Sequence, residues 1–196
     1  MKTQNINIEK EIATEIQNTF HTAEVNIKRN KRIEVKLRND LIPPFLSYAK
    51  NYLTFNHLAH FSCVDWIEQN EFELVYIIYS YEKGVIVLAK TRIDREKAEF
   101  VTTRHLWYQA ETYERELHEM FGINFKGNDR LNEFILEDWE GIPPYRRDFD
   151  TVKYATDNFY TRPGREDAKD VRENVTKINK EEIPEFAKEY SVRSLK

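Results

Sequence analysis

The chain has 196 residues, enough for one domain with an appendage, and its 13% aromatic content indicates a hydrophobic core rather than disorder. The formal net charge of −4 offers no basic field for nucleic acid. A single cysteine, Cys63, excludes an internal disulfide framework and any cysteine-based zinc site or iron–sulfur cluster held by this chain alone. We expect this thiol to be a buried core group rather than a nucleophile.

No stretch of the chain approaches the roughly 18–20 apolar residues that span a bilayer. The most apolar runs, residues 75–79 and 85–89, have the length of strands. The N-terminal MKTQNINIEKEI lacks the apolar centre of a signal peptide. We therefore expect a soluble protein that can still sit on a membrane complex.

The first part of the chain predicts a helix followed by a β-hairpin. Apolar residues recur at four-residue spacing over residues 7–20, which is typical of an amphipathic helix. Two runs, 23–28 and 32–38, then flank a short polar connector. The second run alternates apolar and charged residues, so the hairpin should have one face in water.

A second helix and three strands are predicted next. Pro43-Pro44 suits the first turn of a short helix near residues 43–53. β-Branched and aromatic residues favour strands at 57–66, 71–81 and 85–93, the last two joined by a tight turn at Gly84.

These elements predict an α+β fold, with a mixed or antiparallel sheet and helices packed on one face. The order is α-β-β-α-β-β-β-α, followed by an extended C-terminal docking segment. We expect three parts: an α+β domain at 1–121, a docking loop at 122–149 and an extended tail at 150–196 that lies on partner subunits.

The last helix of the domain, at 108–121, is amphipathic. Its apolar stripe comprises Ala110, Tyr113, Leu117, Met120 and Phe121. Glu111, Arg115, His118 and Glu119 are expected on the opposite, polar face, with Arg115 paired to both glutamates at i,i+4 spacing. Gly122 should end the helix in the left-handed conformation.

Several side chains of this helix raise the alternative of an enzyme. A free-standing hydrolase could use Glu114, Glu116, His118 and Glu119. The His118-Glu119 pair does not complete the HExxH zinc motif, because position 122 is glycine. His57 and His60 are three apart on a strand, so we expect them to face opposite sides and not to share a metal.

Residues 122–149 have little periodicity but carry many apolar anchors, including Phe125 and Trp139. We call this stretch the 122–149 segment. Trp, Tyr and Arg are common interface anchors, and Arg146-Arg147 could hold a partner's carboxylates. The segment therefore predicts a docking surface; the alternative is a long surface loop with solvated arginines. A transiently bound regulatory module is a third possible function.

The motif residues resemble the Complex I 30 kDa subunit family, which supplies the C-type subunit of the proton-translocating NADH:quinone oxidoreductase. The resemblance rests on Glu114-Arg115-Glu116, Glu119-Met120-Phe121-Gly122-Ile123, Phe125-x-Gly127, Trp139-Glu140-Gly141, Pro143 and Arg146-Arg147-Asp148-Phe149. It covers residues 107–149 tightly and the upstream element order more loosely.

The resemblance implies a non-catalytic subunit of the peripheral hydrophilic arm, on the cytoplasmic side of the cell membrane, without a cofactor of its own. Its implied partners are the 49 kDa-type (D-type) subunit and the iron–sulfur subunits of B and I types, whose clusters pass electrons towards quinone. The implied partner-binding residues are Glu114, Arg115, Glu116, Glu119, Phe121, Gly122, Phe125, Gly127, Trp139, Gly141, Pro143, Arg146, Arg147 and Asp148.

One stretch departs from the family pattern. The respiratory enzymes carry a His-Pro-Asp-Leu-Arg-Arg run where this chain has Asn128-Asp129-Arg130-Leu131-Asn132-Glu133. Glu137-Asp138-Trp139 and Pro143-Pro144 resemble relatives in membrane-bound [NiFe] hydrogenases and in ferredoxin- or deazaflavin-linked Complex I-like enzymes. The same role in such an enzyme is the alternative.

The tail at 150–196 interleaves acidic and basic residues with sparse apolar ones. A helix at 166–178 and a short helix opened by Pro184 are expected, ordered along a partner rather than alone. A plain solvated tail is the alternative.

Overall fold

The computed structural model describes residues 5–158 and contains both helices and strands along this stretch. The helices are α1 (Asn5–Thr19), α2 (Ile42–Asn51), α3 (Ala110–Phe121) and α4 (Thr151–Asn158). The strands are β1 (Glu24–Arg29), β2 (Arg32–Lys36), β3 (His57–Trp66), β4 (Glu71–Ser80), β5 (Val85–Asp94), β6 (Glu99–Val101) and β7 (Asn124–Lys126). The predicted mixed α+β architecture is confirmed.

Five strands form the main sheet in the order β1-β2-β5-β4-β3. All neighbours are antiparallel except β2 and β5, which run parallel. The parallel pairing needs a long crossover connection, which α2, β3 and β4 provide between these strands in the chain. The sheet is therefore mostly antiparallel, as the tight hairpins predicted.

One face of the sheet forms the hydrophobic core. Val35 of β2 lies opposite Ala89 of β5, which lies opposite Tyr76 of β4. Tyr76 in turn stacks on Phe61 of β3, with ring centroids 3.9 Å apart. These side chains and the apolar stripes of α1, α2 and α3 belong to one buried cluster. Burial of such apolar surface is the main term that stabilises the fold.

Charged side chains cover the other face of the sheet and neutralise one another. Lys90 of β5 lies 3.0 Å from Glu34 of β2 and 3.4 Å from Glu73 of β4. Arg92 continues the row to Glu71 at 2.7 Å. Glu34 and Glu73 are themselves buried, because the long basic side chains cover them. This face is the wet side predicted from the alternation in β2.

The sequence missed strands β6 and β7, which form a separate two-stranded parallel sheet. Each has three residues, too few to show the alternation by which a strand is recognised. Their pairing places Phe100 opposite Phe125, and both side chains are buried. The 122–149 segment thus begins inside the core.

The chain up to Phe149 forms one compact unit, and a second unit begins at Asp150. The 122–149 segment is therefore packed with the preceding domain in the isolated chain, rather than projecting from it. In the second unit, Asp150 caps α4 by accepting hydrogen bonds from the backbone of Val152 and Lys153. The predicted helices at 166–178 and after Pro184 lie outside the described residues.

Among the helices that the structure describes, none is long and apolar enough to cross a bilayer.

Candidate functional site: helix α3 and the 122–149 segment

The apolar stripe of α3 is buried as predicted, apart from the half-buried Tyr113. The helix ends at Gly122, whose φ of 78° is left-handed and whose N–H donates to the His118 carbonyl. A Cβ added to Gly122 would lie 3.2 Å from Cγ of Pro143. The helix end and the distal part of the segment are therefore in direct contact.

Glu114 is fully buried and is the acceptor at the centre of a polar cluster. Its carboxylate receives hydrogen bonds from the Thr103 N–H (2.7 Å), the Thr102 and Thr103 hydroxyls (2.6 and 3.1 Å) and the Asn128 amide (3.0 Å). Four donors offset the free energy of burying a charge. Glu114 thereby ties α3 to the chain on both sides of it.

The predicted polar face of α3 needs a correction at Glu111. This residue is buried and pairs with Arg104 (3.5 Å) and Arg130 (3.4 Å) rather than with Arg115. The loops before α3 and after β7 pack over this side of the helix. Local i,i+4 spacing cannot foresee such tertiary partners.

Arg115 and Glu119 hold the loop at 132–136 to the helix. The Arg115 guanidinium donates to the carbonyls of Asn132 and Glu133, and it lies 4.9 Å from the Phe134 ring centroid. The Glu119 carboxylate accepts the N–H groups of residues 134, 135 and 136 at 2.8, 2.9 and 3.2 Å. The predicted Arg115–Glu119 pair is thus replaced by contacts from both side chains to the segment.

The segment returns to the end of α3 at Tyr145. The Tyr145 N–H donates to the Met120 carbonyl at 3.0 Å, one of the carbonyls left open at a helix C-terminus. The Tyr145 ring packs edge-to-face on Phe121 at 5.8 Å. Trp139 lies between these points, donates to the Ile142 carbonyl at 3.3 Å and contacts the Phe149 ring.

The distal end of the segment is fixed to the main sheet through Asp65. This carboxylate accepts two hydrogen bonds from Arg95 (2.9 and 3.2 Å) and one from the Arg147 N–H (2.9 Å). Arg95 also bonds Asp148 at 2.6 Å. Burial alone would raise the pKa of Asp65, but the hydrogen bonds from Arg95 and Arg147 outweigh it and lower that pKa.

The two arginines expected to hold a partner's carboxylates have partners within the chain. Arg147 binds the Glu68 carboxylate at 2.7 Å, and Arg146 lies over the Phe72 ring and donates to the Arg95 carbonyl. Asp65, Glu68 and Arg95 were not singled out from the sequence. They lie about 50 to 80 positions before their partners, and a single sequence shows no such pairing.

Not every predicted partner-binding residue is accessible. Glu114, Phe121 and Phe125 are buried in the isolated chain, where they support the surface from beneath, and their contact with a partner stays a prediction. Gly127 is exposed, but a Cβ there would meet Thr102 at 2.9 Å, so glycine is also needed for packing within the domain. The accessible or half-buried members are Arg115, Glu116, Glu119, Gly122, Gly127, Trp139, Gly141, Pro143, Arg146, Arg147 and Asp148.

The geometry does not favour a hydrolase centre on α3. Glu114 faces the buried threonines, Glu119 faces the 134–136 amides, and His118 Nδ1 lies 2.9 Å from the Ile123 carbonyl. These groups therefore serve separate contacts and do not converge on one reacting atom.

The remaining candidates for chemistry also have structural environments. Burial raises the pKa of the Cys63 thiol, with Asp65 and Glu73 adding to the shift, so the reactive thiolate is disfavoured. His57 packs against Tyr81 and His60 against Tyr113. Within residues 5–158 no group of three or more His, Cys, Asp or Glu side chains is placed to hold a metal ion.

Comparison with known proteins identifies the family to which this arrangement corresponds. Residues 35–155 match the family model described as "Respiratory-chain NADH dehydrogenase, 30 Kd subunit". The C subunit of the F(420)H(2) dehydrogenase of Methanosarcina mazei is 33% identical over 129 residues, covering 65% of this chain and 82% of that protein. The C subunit of the NADH-quinone oxidoreductase of Chlorobium phaeobacteroides is 33% identical over 117 residues, covering 58% and 70% respectively.

A longer relative is the C/D 2 subunit of the NADH-quinone oxidoreductase of Aquifex aeolicus. It is 34% identical over 125 residues, which cover 62% of this chain and only 20% of that protein.

Two solved structures share the fold. A chain of the membrane-bound sulfane sulfur reductase, an archaeal respiratory membrane complex, aligns with a TM-score of 0.68 and 33% identity over 79% of this chain and 96% of that one. A trypsin-resistant fragment of Nqo5 aligns with a TM-score of 0.53 over 61% of this chain and 97% of that one; at 22% identity it supports the fold alone.

Proposed function

This chain belongs to the family of the respiratory-chain NADH dehydrogenase 30 Kd subunit, and from that premise we propose that it is a non-catalytic structural subunit of a proton-translocating NADH:quinone oxidoreductase. It occupies the peripheral hydrophilic arm on the cytoplasmic side of the membrane. It supports electron transfer to quinone by holding other subunits in place, and it binds no cofactor itself. The iron–sulfur clusters belong to partners of the B and I types.

The proposed principal partner is a D-type subunit. This is supported by relatives named as C/D subunits, in which the region similar to this chain is about a fifth of the length. Because the C-type and D-type subunits are named together as one protein in these relatives, we expect separate C-type and D-type chains to associate directly.

One observation carries the proposal: α3 and the sheet hold the 122–149 segment in a fixed position, while several of its apolar side chains remain exposed. These are Phe134, Ile135, Ile142 and Tyr145. Arg115, Glu119 and Asp65 fix three points of the segment's backbone. A surface that is already ordered loses less conformational entropy on binding than a flexible loop does.

A second candidate is the equivalent subunit of a related complex, such as a ferredoxin- or deazaflavin-linked enzyme or a membrane-bound [NiFe] hydrogenase. It is favoured by the F(420)H(2) dehydrogenase relative, most of whose length is matched, and by the similarity to a chain of the sulfane sulfur reductase complex. The structural role would be the same, and the electron donor and acceptor would differ.

Substitution of two residues in the full assembly tests the proposal. Glu116 is half-buried, and in the described part of the chain its side chain has no hydrogen bond or ion pair, so it is open to a partner. We expect Glu116→Ala and Trp139→Ala to reduce, by about tenfold or more, the amount of the D-type partner that copurifies with this chain from detergent-solubilised membranes.

Matched controls are Glu11→Ala on α1 and Tyr52→Ala after α2, both at exposed positions far along the chain from the segment. Thermal unfolding of each purified variant shows whether the fold is retained. Undiminished copurification with folded Glu116→Ala and Trp139→Ala chains would overturn the proposal. So would an intrinsic hydrolytic activity of the purified chain that Glu116→Ala abolishes.

A further inference from the structure

Most acidic side chains on the body of the domain have basic partners within the chain. Besides the charged row on the sheet, ion pairs join Asp65 and Asp148 to Arg95, Glu68 to Arg147, Glu99 to Lys126 and Asp129 to Arg104. Much of the negative charge on these surfaces is therefore neutralised within the chain itself.

Residues 131–140 differ sharply from that pattern. They contain four acidic residues, Glu133, Glu137, Asp138 and Glu140, and no lysine or arginine. All four are exposed, and within residues 5–158 none of their carboxylates takes part in an ion pair or a hydrogen bond. No ion pair within the described residues therefore neutralises these four carboxylates.

Apolar surface lies among these carboxylates. Phe134 is 41% and Ile135 57% exposed, although both belong to a loop that is tightly fixed to α3. Beside them is a cleft of about 230 Å³ whose apolar lining comes from Leu131, Leu136 and Trp139. Its polar lining comes from His118, Glu119, Asn132 and Glu133.

The backbone of this region is already engaged, which restricts how it can be recognised. The Glu119 carboxylate accepts hydrogen bonds from the amides of residues 134–136, and the Arg115 guanidinium donates to the carbonyls of residues 132 and 133. This engagement disfavours addition of a partner strand along residues 132–136, because that mode needs free backbone donors and acceptors. Recognition of these residues is therefore expected to proceed through side chains.

We propose that the 131–140 surface docks a basic, amphipathic segment of the D-type partner, with an arginine or lysine whose stem lies in the Leu131–Leu136–Trp139 cleft and whose charge meets the carboxylates around it. This deepens the proposed function and rests on it. Long basic side chains have an apolar stem and a charged end, which matches a cleft with both apolar and acidic lining residues. Phe134 and Ile135 provide the apolar anchors beside that contact.

The salt dependence of binding separates the charged contribution from the apolar one. The double variant Glu137→Lys/Asp138→Lys reverses two carboxylates of the surface. The control Glu11→Lys/Glu82→Lys makes the same change in net charge at exposed positions on α1 and in the β4–β5 turn. The dissociation constant is measured for each full-length chain with the membrane complex purified from cells lacking this protein.

At low ionic strength we expect the 137/138 reversal to weaken binding by about tenfold or more and the control to leave it unchanged within about twofold. The loss should shrink in about 0.5 M salt, where charges more than a few ångströms apart are screened. A Phe134→Ser/Ile135→Ser variant should weaken binding at both salt concentrations.

The outcomes distinguish this inference from the function on which it rests. If Trp139→Ala abolishes binding while the 137/138 reversal behaves like its control, the segment docks but its partner surface is not basic, and the inference falls. If neither variant changes binding, the proposed docking function falls with it. Tighter binding of the reversed chain would point to an acidic partner and would also overturn the inference.

Discussion

Both the backbone conformation and the packing at position 127 require glycine. Its φ of 92° lies in the region that side chains other than glycine rarely adopt, and a Cβ would meet Thr102 Cγ2 at 2.9 Å. Thr102 cannot easily move aside, because its hydroxyl binds the buried Glu114. The glycine of the Phe125-x-Gly127 motif is thus explained by the structure of the domain itself.

Gly127→Ala should lower the free energy of unfolding by about 2–3 kcal/mol, through combined backbone strain and steric overlap. Urea unfolding followed by circular dichroism measures this. Gly84→Ala is the control, since its φ is 62° and its Cβ would meet only the flexible end of Lys31 at 3.6 Å. A loss at position 127 no larger than at position 84 would contradict the explanation.

Helix α3 works as an element with two functional sides. Its apolar stripe and Glu114 anchor it in the domain, while Arg115 and Glu119 reach out and order a loop more than ten residues further along. The charged residues that resemble an active site are therefore the means by which a regular helix positions an irregular segment. Three backbone N–H groups converging on one carboxylate make a compact and directional contact.

Glu119→Gln should loosen this loop without unfolding the helix, because the neutral amide accepts backbone hydrogen bonds more weakly. We expect hydrogen exchange at the amides of Phe134, Ile135 and Leu136 to become about tenfold faster, with little change in the amides of the core strand β4. Glu116→Gln is the control on the same helix. Unchanged protection at residues 134–136 would show that Glu119 does not order the loop.

At the scale of the whole domain, Asp65 joins the end of the 122–149 segment to the main sheet. Its carboxylate accepts hydrogen bonds from the side chain of Arg95, which follows β5, and from the backbone N–H of Arg147 in the segment. The structure thereby connects the sheet, which carries the core, to the surface proposed for docking. A substitution at Asp65 should therefore affect both the stability of the sheet and the position of the proposed docking surface.

This contact predicts a dependence of stability on pH. The folded-state pKa of Asp65 is lowered, so its contribution is fully present above the unfolded-state pKa of about 4 and is lost as pH falls through the folded value. Asp65→Asn should cost about 2–3 kcal/mol at pH 7, and the difference from the natural chain should shrink as pH is lowered below about 4.

Urea unfolding of both chains between about pH 7 and about pH 3 measures the effect, a range that brackets the unfolded-state pKa. Glu99→Gln, which alters the exposed pair with Lys126, is the matched control and should change stability little. A difference at Asp65 that stays constant across this pH range would rule out the charged contact as its cause.

The sequence by itself determined helices α1 to α3 and strands β1 to β5, and it marked the stretch that we propose as the candidate surface. Period-two and period-four patterns indicated the hairpins and amphipathic helices because each pattern reports which face is buried. Gly122 predicted the end of α3, and the density of anchors marked residues 122–149. The aromatic content likewise required a core.

Only the tertiary structure decided what the charged motif residues do. Glu114 is buried and Arg147 pairs with Glu68, and neither fact follows from local spacing. Hydrogen bonds and ion pairs act between groups that the fold brings together from distant positions, whereas hydrophobic periodicity acts locally. Strands β6 and β7 were missed for the same reason, since three-residue strands exist only through pairing with each other.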